Sequence, residues 1–322
     1  MTRLLVLRLS ALGDVIHTIP AVTGLRDVHA DQIVQWVVEA PYAELVELVA
    51  GVETIPVRMK KWGRSPLAHR GEIRNAVRKI RGADVSIDFQ GLVKSAALGA
   101  LSGAKTRIGF DRDAIREKPA LVFSNQKVKV DTTKHVVEQN LDLAWSAAAL
   151  PPLSQRAERA FGSLESGGRA AALQWAAFPQ PMDVRSARVV LLPGAGKQNK
   201  LWPVERFREL AAKLDDVLVV WGPGEAERAQ AIGARTAPPT SLRELAWLLQ
   251  EAELVIGGDT GPLHLAAALG TKVVGLYAPT DPRRNGPYGQ LHRVVNEFVT
   301  TKLMESITVE AVVNLAEKVL AE

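Results

Sequence analysis

Residues 252–270 read A-E-L-V-I-G-G-D-T-G-P-L-H-L-A-A-A-L-G. The apolar start predicts a strand, a glycine-rich turn follows it, and residues 263–269 predict a helix that ends at Gly270. Pro262 suits the first helical turn, because a backbone N–H there has no partner inside the helix. A strand that passes through a tight turn into a helix is the repeating unit of a parallel α/β sheet.

The turn at residues 257–261 has the chemistry of an anion site. Its free N–H groups and the positive end of the helix dipole both attract negative charge. Asp259 and His264 flank the turn and can hold hydroxyls or a phosphate oxygen. The same residues also fit a helix cap and a buried core histidine. The stretch therefore predicts a pocket for a diphosphate-linked donor, with the purely structural alternative still open.

Composition describes a globular protein with room for two domains. The chain has 322 residues, of which 47% are hydrophobic and 23% charged. It has no cysteine, so a disulfide framework and a thiolate metal site are excluded. The first residues read as a strand and not as a signal peptide. No apolar run approaches the roughly 18 residues that span a bilayer, and we expect a cytoplasmic protein.

Positive charge is concentrated in Arg58–Arg81, where nine basic residues face the single acid Glu72 within a chain of net charge +5. Such a segment attracts polyanions such as acidic lipid head groups or a phosphorylated substrate, although it also fits a solvated helix face. Trp62 inside the segment favours an amphipathic partner such as a membrane surface. Aromatic residues make up only 5% of the chain, which disfavours a nucleic-acid platform.

Short apolar strands alternate with helical patterns along the chain, so we predict an α/β fold of two Rossmann-like, doubly wound lobes that face an interdomain cleft. The predicted domains are residues 1–150 and 186–322, joined by a linker region over 151–185. In the first lobe the predicted strands are Leu4–Leu9, Ile33–Val38, Ser86–Asp88 and Thr106–Ile108. The predicted helices there are Val15–Val28, Tyr42–Val49, Pro66–Arg81, Leu92–Leu101 and His135–Ala148.

Three common site motifs are missing. Neither lobe has G-x-G-x-x-G after its first strand, which disfavours a dinucleotide dehydrogenase. Gly194-Ala195-Gly196-Lys197 is followed by Gln198 and fails the spacing of a nucleotide-binding P-loop. No H-E-x-x-H motif or histidine–aspartate ligand cluster occurs, so we expect no metal.

Asp14 is the first candidate catalytic residue. The strand that ends at Leu9 passes through a loop containing Gly13 into a helix, so Asp14 lies at the carboxyl end of the strand. A carboxylate in that place is either a helix N-cap or a general base. His17 follows one turn later on the same face of the helix.

Three loops after strand ends of the second lobe together predict a nucleotide diphosphate site. In the first, Gly194 lets backbone amides approach a phosphate, and Lys200 lies just before a helix start. In the second, Glu225 can accept hydrogen bonds from a ribose diol. The third is the turn at residues 259–261 with His264. Any one of these loops is weak evidence, but all three in order are strong.

These residues resemble the bacterial lipopolysaccharide heptosyltransferases of glycosyltransferase family 9, which have the GT-B fold. The resemblance covers nearly the whole chain and is closer to heptosyltransferase I than to heptosyltransferase II. The segments that carry it are Leu9–Pro20, Trp36–Glu39, Asp88–Ala96, Lys200–Pro203, Trp221-Gly222, Asp259–Leu269 and Tyr277–Pro282.

The resemblance implies transfer of L-glycero-D-manno-heptose from ADP-heptose to a Kdo hydroxyl of Kdo2-lipid A, with inversion and without a metal or other cofactor. Asp14 is then the general base. Lys200 and the amides around Thr260 and Gly261 stabilise the departing diphosphate. Glu225 holds the ribose, and the remaining donor contacts come from Gly194, Asp259 and His264.

The resemblance also gives the basic first lobe a purpose, because the acceptor carries phosphates and carboxylates. The implied acceptor contacts are His17, Lys60, Lys61, Arg64, Gln90, Lys94 and Arg116. The expected partners are ADP-heptose, Kdo2-lipid A and, transiently, the anionic cytoplasmic face of the inner membrane, with no nucleic acid. The alternatives are heptosyltransferase II, a nucleotide-sugar epimerase or hydrolase of the same fold, and a non-catalytic anion-binding protein.

Overall fold

The structure is a computed structural model that describes residues 3–28, 32–148 and 184–322. It divides into two compact units, Met1–Gln174 and Trp175–Glu322, and each is built on a six-stranded parallel sheet flanked by helices. The predicted α/β class with two Rossmann-like lobes is confirmed. The predicted linker over 151–185 lies outside the described residues except for Val184 and Arg185.

The first sheet has the strand order β3-β2-β1-β4-β5-β6. Its strands are β1 (Arg3–Leu7), β2 (Ile33–Glu39), β3 (Val52–Val57), β4 (Val85–Asp88), β5 (Thr106–Phe110) and β6 (Gln126–Val128). The helices of this unit are α1 (Leu12–Val28), α2 (Ala43–Val46), α3 (Met59–Arg64), α4 (Arg70–Ile80), α5 (Val93–Leu101) and α6 (Val136–Ala148). The central strand β1 pairs on both sides, so that Leu7 lies between Val37 and Asp88.

The second sheet repeats this arrangement in the order β12-β11-β10-β7-β8-β9. Its strands are β7 (Val189–Leu192), β8 (Val217–Val219), β9 (Arg235–Thr236), β10 (Leu254–Gly258), β11 (Lys272–Tyr277) and β12 (Val294–Asn296). The helices are α7 (Val204–Ala212), α8 (Ala226–Gln230), α9 (Leu242–Glu251), α10 (Gly261–Leu269), α11 (Pro282–Asn285) and α12 (Val309–Ala321). The core around this sheet includes Trp202, whose indole N–H donates to the Ile307 carbonyl at 3.0 Å.

Each sheet has a point where the direction of strand addition reverses. It lies between β1 and β4 in the first unit and between β7 and β10 in the second. Ligands of open parallel sheets bind outside the carboxyl ends of the strands at this point. Gln90, Gly194 and Asp259 lie in loops that follow three of these strands, and Asp14 lies in the first turn of the helix that follows β1, so the topology assembles one candidate site in each unit.

The strands at the two edges of the first sheet, β3 and β6, were not predicted from the sequence. In β3 only Ile55 and Val57 are buried, and Pro56 interrupts the run. An edge position tolerates proline because the missing N–H faces away from the partner strand. Such a strand has little of the continuous apolar character by which the central strands β1, β2 and β4 are recognised.

The helix predicted over Pro66–Arg81 is wrong in its start. The structure has two helices, α3 and α4, and Ser65 between them has φ −146° and ψ 67°. A residue before proline is driven out of the helical region by the proline ring, so Pro66 ends α3 instead of opening a helix. Seven of the nine basic residues of Arg58–Arg81 thus lie on two short helices, Arg58 and Arg81 flank them, and all nine are exposed.

Trp62 belongs to the core, so its predicted role in contacting a membrane surface is wrong. Its side chain is 7% exposed and packs in the same buried cluster as Ile80 and Leu98. The indole N–H donates to a carboxylate oxygen of Glu72 at 3.2 Å. The exposed apolar side chain of this region is Leu67, at 86%. Within residues 3–28, 32–148 and 184–322, no helix has the length and apolar character needed to cross a bilayer.

We expect the substitution Trp62→Ala to lower the free energy of unfolding by about 3–5 kcal/mol, because it removes a large buried side chain. Leu67→Ala is the matched control and should change it by less than about 0.5 kcal/mol. Urea unfolding of both variants measures the difference. If the Trp62 variant kept its stability and bound anionic vesicles more weakly, Trp62 would have the predicted role of contacting a membrane surface.

Candidate active site

Asp14 lies in the first turn of α1, directly after the loop that leaves β1. Since it is inside the helix, it is not the N-cap residue. One carboxylate oxygen accepts a long hydrogen bond of 3.4 Å from the Ala11 N–H. Capping of the helix therefore explains few of the contacts that this carboxylate makes. The side chain is 23% exposed.

Two guanidinium groups hold the Asp14 carboxylate. Nη2 of Arg8 lies 2.8 Å from Oδ1, and Nη2 of Arg116 lies 3.0 Å from both oxygens. Burial alone raises the pKa of Asp14, but the charges of Arg8 and Arg116 outweigh it and hold the pKa below its usual range. Asp14 is therefore ionised at neutral pH, as a proton acceptor must be.

Arg8 is a site residue that the sequence analysis missed. It is 2% exposed, and it also donates to the Phe89 carbonyl at the end of β4. A buried arginine is rare unless it is paired, and here Asp14 supplies the charge. The available signal was the single charged residue within the apolar run of Leu4–Leu9.

Gln90 supports the loop that leads to Asp14. Its side-chain oxygen accepts the N–H groups of Leu9 at 2.7 Å and Ser10 at 3.1 Å, and its amide donates to the Ser10 carbonyl at 2.8 Å. The side chain is 2% exposed. The geometry therefore favours a positioning role for Gln90 over the predicted role of lining the acceptor site.

Asp88, the last residue of β4, anchors the loop that follows β4 and carries Gln90. Its carboxylate accepts the N–H groups of Gln90 at 2.9 Å and Gly91 at 3.1 Å and the Ser95 hydroxyl at 3.1 Å. Burial nevertheless raises the pKa of Asp88 to about 6. This carboxyl favours the folded state most when it is protonated.

The raised pKa of Asp88 predicts a pH dependence of stability. The unfolded carboxyl ionises near pH 4, so the folded chain binds the extra proton between about pH 4 and 6 and loses that advantage as the pH rises. We expect the stability of Asp88→Asn relative to wild type to increase by about 1 kcal/mol between pH 5 and pH 8. Urea unfolding across this range measures it, with the exposed Asp113→Asn as control. A difference that stays flat with pH contradicts the assignment.

The other predicted acceptor residues fall into two groups. Lys60, Lys61 and Arg64 lie exposed on α3, and Lys94 lies half-buried in the first turn of α5. His17 is buried on α1, where its ring meets the ring of His135 edge-on at 5.5 Å between centroids. The structure thus places His17 in the packing of α1 and not on an open surface.

Glu39 ends β2 at the same edge of the sheet and was given no role from the sequence. It is 9% exposed, and burial raises the pKa of its carboxyl against the charges of Lys94 and Lys60. Its own backbone N–H donates to the Leu9 carbonyl at 3.0 Å. Glu39 therefore places a carboxyl near two of the predicted acceptor lysines, beside the loop that leads to Asp14.

In the second unit, Asp259 is the centre of a polar cluster at the end of β10. Lys200 Nζ lies 2.5 Å from Oδ2, and His264 Nε2 lies 3.1 Å from Oδ1. The Asn285 amide is 3.0 Å from both oxygens. Burial raises the pKa of Asp259, but its bonds to His264 and Lys200 reverse the shift and leave the pKa far below its usual range.

The structure brings Lys200, Asp259 and His264 together, as the three-loop prediction requires. Asn285, at the end of α11, completes the cluster and was missed, since it lies beyond the recognised segment Tyr277–Pro282. Because both oxygens of Asp259 are occupied, this carboxylate orients Lys200 and His264 more readily than it meets a ligand itself. The ammonium group of Lys200 is left to face an anion.

The turn beside this cluster opens the N-terminus of α10. Thr260 is the N-cap residue, in an extended conformation with no side-chain cap bond, and Gly261 begins the helix. The Thr260 hydroxyl oxygen is buried without a hydrogen-bond partner. A Cβ on Gly257 would come within 2.8 Å of the Leu192 Cβ, so glycine is needed where β10 passes β7. Unpaired helix N–H groups and a free hydroxyl suit an anionic ligand.

Glu225 lies against Gly194 in the neighbouring loops. Its carboxylate accepts the Gly222 N–H at 2.8 Å, and a Cβ on Gly194 would lie 2.0 Å from it. Arg228, which the sequence analysis missed, donates to the Pro193 carbonyl at 2.8 Å and to the Trp202 carbonyl. Arg228 therefore fastens the glycine loop to the segment that follows Lys200.

The contact between Gly194 and Glu225 gives a matched pair of variants. Gly194→Ala should push the Glu225 carboxylate out of its place and raise the KM for the nucleotide donor about tenfold, the value of one hydrogen bond to a charged group. Gly196→Ala is the control, since its Cβ would meet nothing within 4 Å. Steady-state kinetics of both variants measures the KM for the nucleotide donor. An equal KM in the two variants would show that Glu225 does not contact the donor.

In the described ranges 3–28, 32–148 and 184–322, groups of three or more histidine, aspartate or glutamate side chains placed to hold a metal ion are absent.

The chain matches the model of glycosyltransferase family 9 (heptosyltransferase) over residues 73–309. It is 34% identical over 305 residues to lipopolysaccharide heptosyltransferase 1 of Escherichia coli strain K12, covering 89% of this chain and 91% of that protein. Lipopolysaccharide heptosyltransferase 1 of Pseudomonas aeruginosa is 32% identical over 303 residues, covering 89% of this chain and 82% of that protein.

Solved structures give the same result. E. coli heptosyltransferase WaaC with ADP superposes with a TM-score of 0.80 at 28% identity, covering 99% of this chain and 100% of that chain. E. coli ADP-heptose LPS heptosyltransferase II superposes with a TM-score of 0.74 at 20% identity, covering 100% of this chain and 99% of that chain. The second likeness is one of fold.

Proposed function

The chain belongs to glycosyltransferase family 9, the heptosyltransferases, and we propose that it transfers L-glycero-D-manno-heptose from ADP-heptose to a Kdo hydroxyl of Kdo2-lipid A. The observation that carries the proposal is Asp14, an ionised carboxylate at the switch point of the first sheet. The relatives at 34% and 32% identity are heptosyltransferases of type 1, which supports this acceptor over the first heptose.

Asp14 is the proposed general base. It takes the proton of the Kdo hydroxyl while that oxygen attacks the anomeric carbon of the heptose and the bond to ADP breaks. Attack from the face opposite the leaving ADP inverts the anomeric centre. A positioned carboxylate of this kind contributes about a hundredfold to ten-thousandfold to a rate.

The second unit is the proposed donor site. Lys200, oriented by Asp259, and the first N–H groups of α10 neutralise the charge that develops on the departing diphosphate. His264 and the Thr260 hydroxyl are placed to contact phosphate or sugar oxygens, and Glu225 accepts the ribose hydroxyls. These groups supply the charge stabilisation that a divalent metal gives in other glycosyltransferases, so we propose a metal-independent reaction.

The exposed basic residues of α3 and α4 are the proposed contact for the anionic acceptor and for the lipid surface that holds it. All nine basic side chains of Arg58–Arg81 face solvent. Each such residue near an anionic membrane contributes about 1 kcal/mol at moderate salt. This contact is electrostatic, and Trp62 takes no part in it.

Product analysis tests the proposal. The enzyme is incubated with ADP-heptose and Kdo2-lipid A stripped of its acyl chains, with and without EDTA, and the product is examined by mass spectrometry and NMR. We expect one added heptose with inverted anomeric configuration in both samples. Consumption of an already heptosylated acceptor alone would assign type II, ADP release without acceptor would assign a hydrolase or epimerase, and loss with EDTA would contradict metal independence.

A further inference from the structure

The two arginines that hold Asp14 differ in their freedom to move. Arg8 is 2% exposed and is fixed at its other end by the Phe89 carbonyl. The side chain of Arg116 is 42% exposed. Because the Arg116 side chain is open to solvent, a competing anion can reach its guanidinium and exchange with Asp14.

The backbone of Arg116 is held firmly even though its side chain is exposed. The next residue, Glu117, donates its N–H to the Gly91 carbonyl at 3.0 Å. Gly91 has φ +66°, and a Cβ there would lie 3.2 Å from the Arg116 backbone nitrogen. The guanidinium can therefore swing about a fixed point without any movement of its loop.

The Arg116 guanidinium also has N–H donors that Asp14 does not use. A guanidinium group carries five N–H bonds, and within the described part of the chain only Nη2 is engaged, by the two oxygens of Asp14. The remaining donors fit a second planar anion, a carboxylate or a phosphate oxygen pair. As long as Nη2 bridges both oxygens, the outward lone pairs of Asp14 are occupied.

We propose that Arg116 blocks Asp14 in the free enzyme and releases it when an anionic group of the acceptor, carboxylate or phosphate, draws the guanidinium away. Arg8 stays in place and keeps Asp14 positioned. The inference rests on the proposed function of Asp14 as base. Its consequence is that the donor is protected from attack by water until the acceptor is bound.

The first test measures ADP release from ADP-heptose without acceptor. Arg116→Ala should release ADP about tenfold faster than wild type, and adding Asp14→Asn to that variant should return the rate to the wild-type level. Arg112→Ala, an exposed arginine of the same loop, is the control and should match wild type. An acceptor-free rate unchanged by Arg116→Ala, with only a raised acceptor KM, would overturn the proposal and leave Arg116 as an acceptor contact.

A second test does not depend on the donor, so it separates failure of this inference from failure of the proposed function. The titratable and charged groups that face this site are Arg8 and Arg116, Tyr42, and Asp88 beyond Arg8. NMR of carboxyl-labelled aspartate follows the pKa of Asp14 in the absence and presence of Kdo disaccharide or inorganic phosphate.

We expect the anion to raise the pKa of Asp14 in the wild type and to leave it unchanged in Arg116→Ala, where it is already raised. A response to the disaccharide alone identifies the carboxylate as the releasing group, and a response to phosphate alone identifies the phosphate. A pKa that does not respond to either anion contradicts the exchange.

Discussion

Replacing Asp14 by asparagine should lower the kcat of heptose transfer by about a hundredfold to ten-thousandfold. The amide has the shape of the carboxylate but cannot take the proton of the acceptor hydroxyl. The KM for ADP-heptose should change little, because the proposed donor contacts all lie in the second unit. Initial rates at saturating donor and acceptor measure the effect.

This substitution also leaves Arg8 without its counter-charge. Removing one partner of a buried ion pair costs about 3–5 kcal/mol, and the positive charge of Arg116 beside Arg8 adds to the loss. Thermal unfolding must therefore accompany the kinetics, to show that the variant is folded at the assay temperature. Asp113→Asn, an exposed aspartate, is the matched control and should keep full activity.

A folded Asp14→Asn variant with a kcat within about threefold of wild type would contradict the role of general base. Asp14 would then have a structural role only, in which its ion pairs with the two guanidinium groups hold the start of α1.

Replacing Lys200 by methionine should lower kcat by about a hundredfold to a thousandfold, the usual effect of removing one group that stabilises developing charge. The Lys200 side chain is 19% exposed, and its ammonium group is fixed by Asp259. It therefore holds its charge in place before the diphosphate departs. Methionine keeps most of the length of the side chain without the charge.

Lys197→Met is the control for this variant, because Lys197 lies in the same loop and is exposed. It should change kcat by less than about twofold. A second comparison, Asn285→Ala, loosens Asp259 without removing a charge and should have a smaller effect. If Lys200→Met changes only the donor KM, the lysine binds the ground state and transition state equally, and its assigned role in leaving-group departure is wrong.

The parts of the site that could be predicted from the sequence are those made by neighbours in the chain. The turn at residues 257–261 and the loop before Asp14 each follow a strand and open a helix within a few residues, so local pattern is enough. The topology then placed both at switch points, as their positions after β10 and β1 required.

The contacts that were missed join residues that are far apart in the sequence. Arg116 meets Asp14 over 102 residues, and Arg8 meets the Phe89 carbonyl over 81. A parallel sheet joins strands that are distant in the chain. The hydrophobic periodicity of the sequence does not show which loops meet at the edge of that sheet. Asn285 and Arg228 were not predicted for the same reason.

The sequence pattern also could not predict which side chains of the basic segment are exposed to solvent. Trp62 lies between lysines and glycine in a basic segment, yet its ring is in the core because the six-residue helix α3 turns that one face inward. The exposed basic residues around it remain available for the acceptor.

The central claim is that Asp14 drives a transfer that needs an acceptor, and acceptor-dependent ADP release tests it most directly. Wild type and Asp14→Asn are assayed with ADP-heptose, with and without Kdo2-lipid A stripped of its acyl chains. We expect rapid release only by wild type with acceptor present. Equal release by the two proteins, or release by wild type that is indifferent to the acceptor, would contradict it.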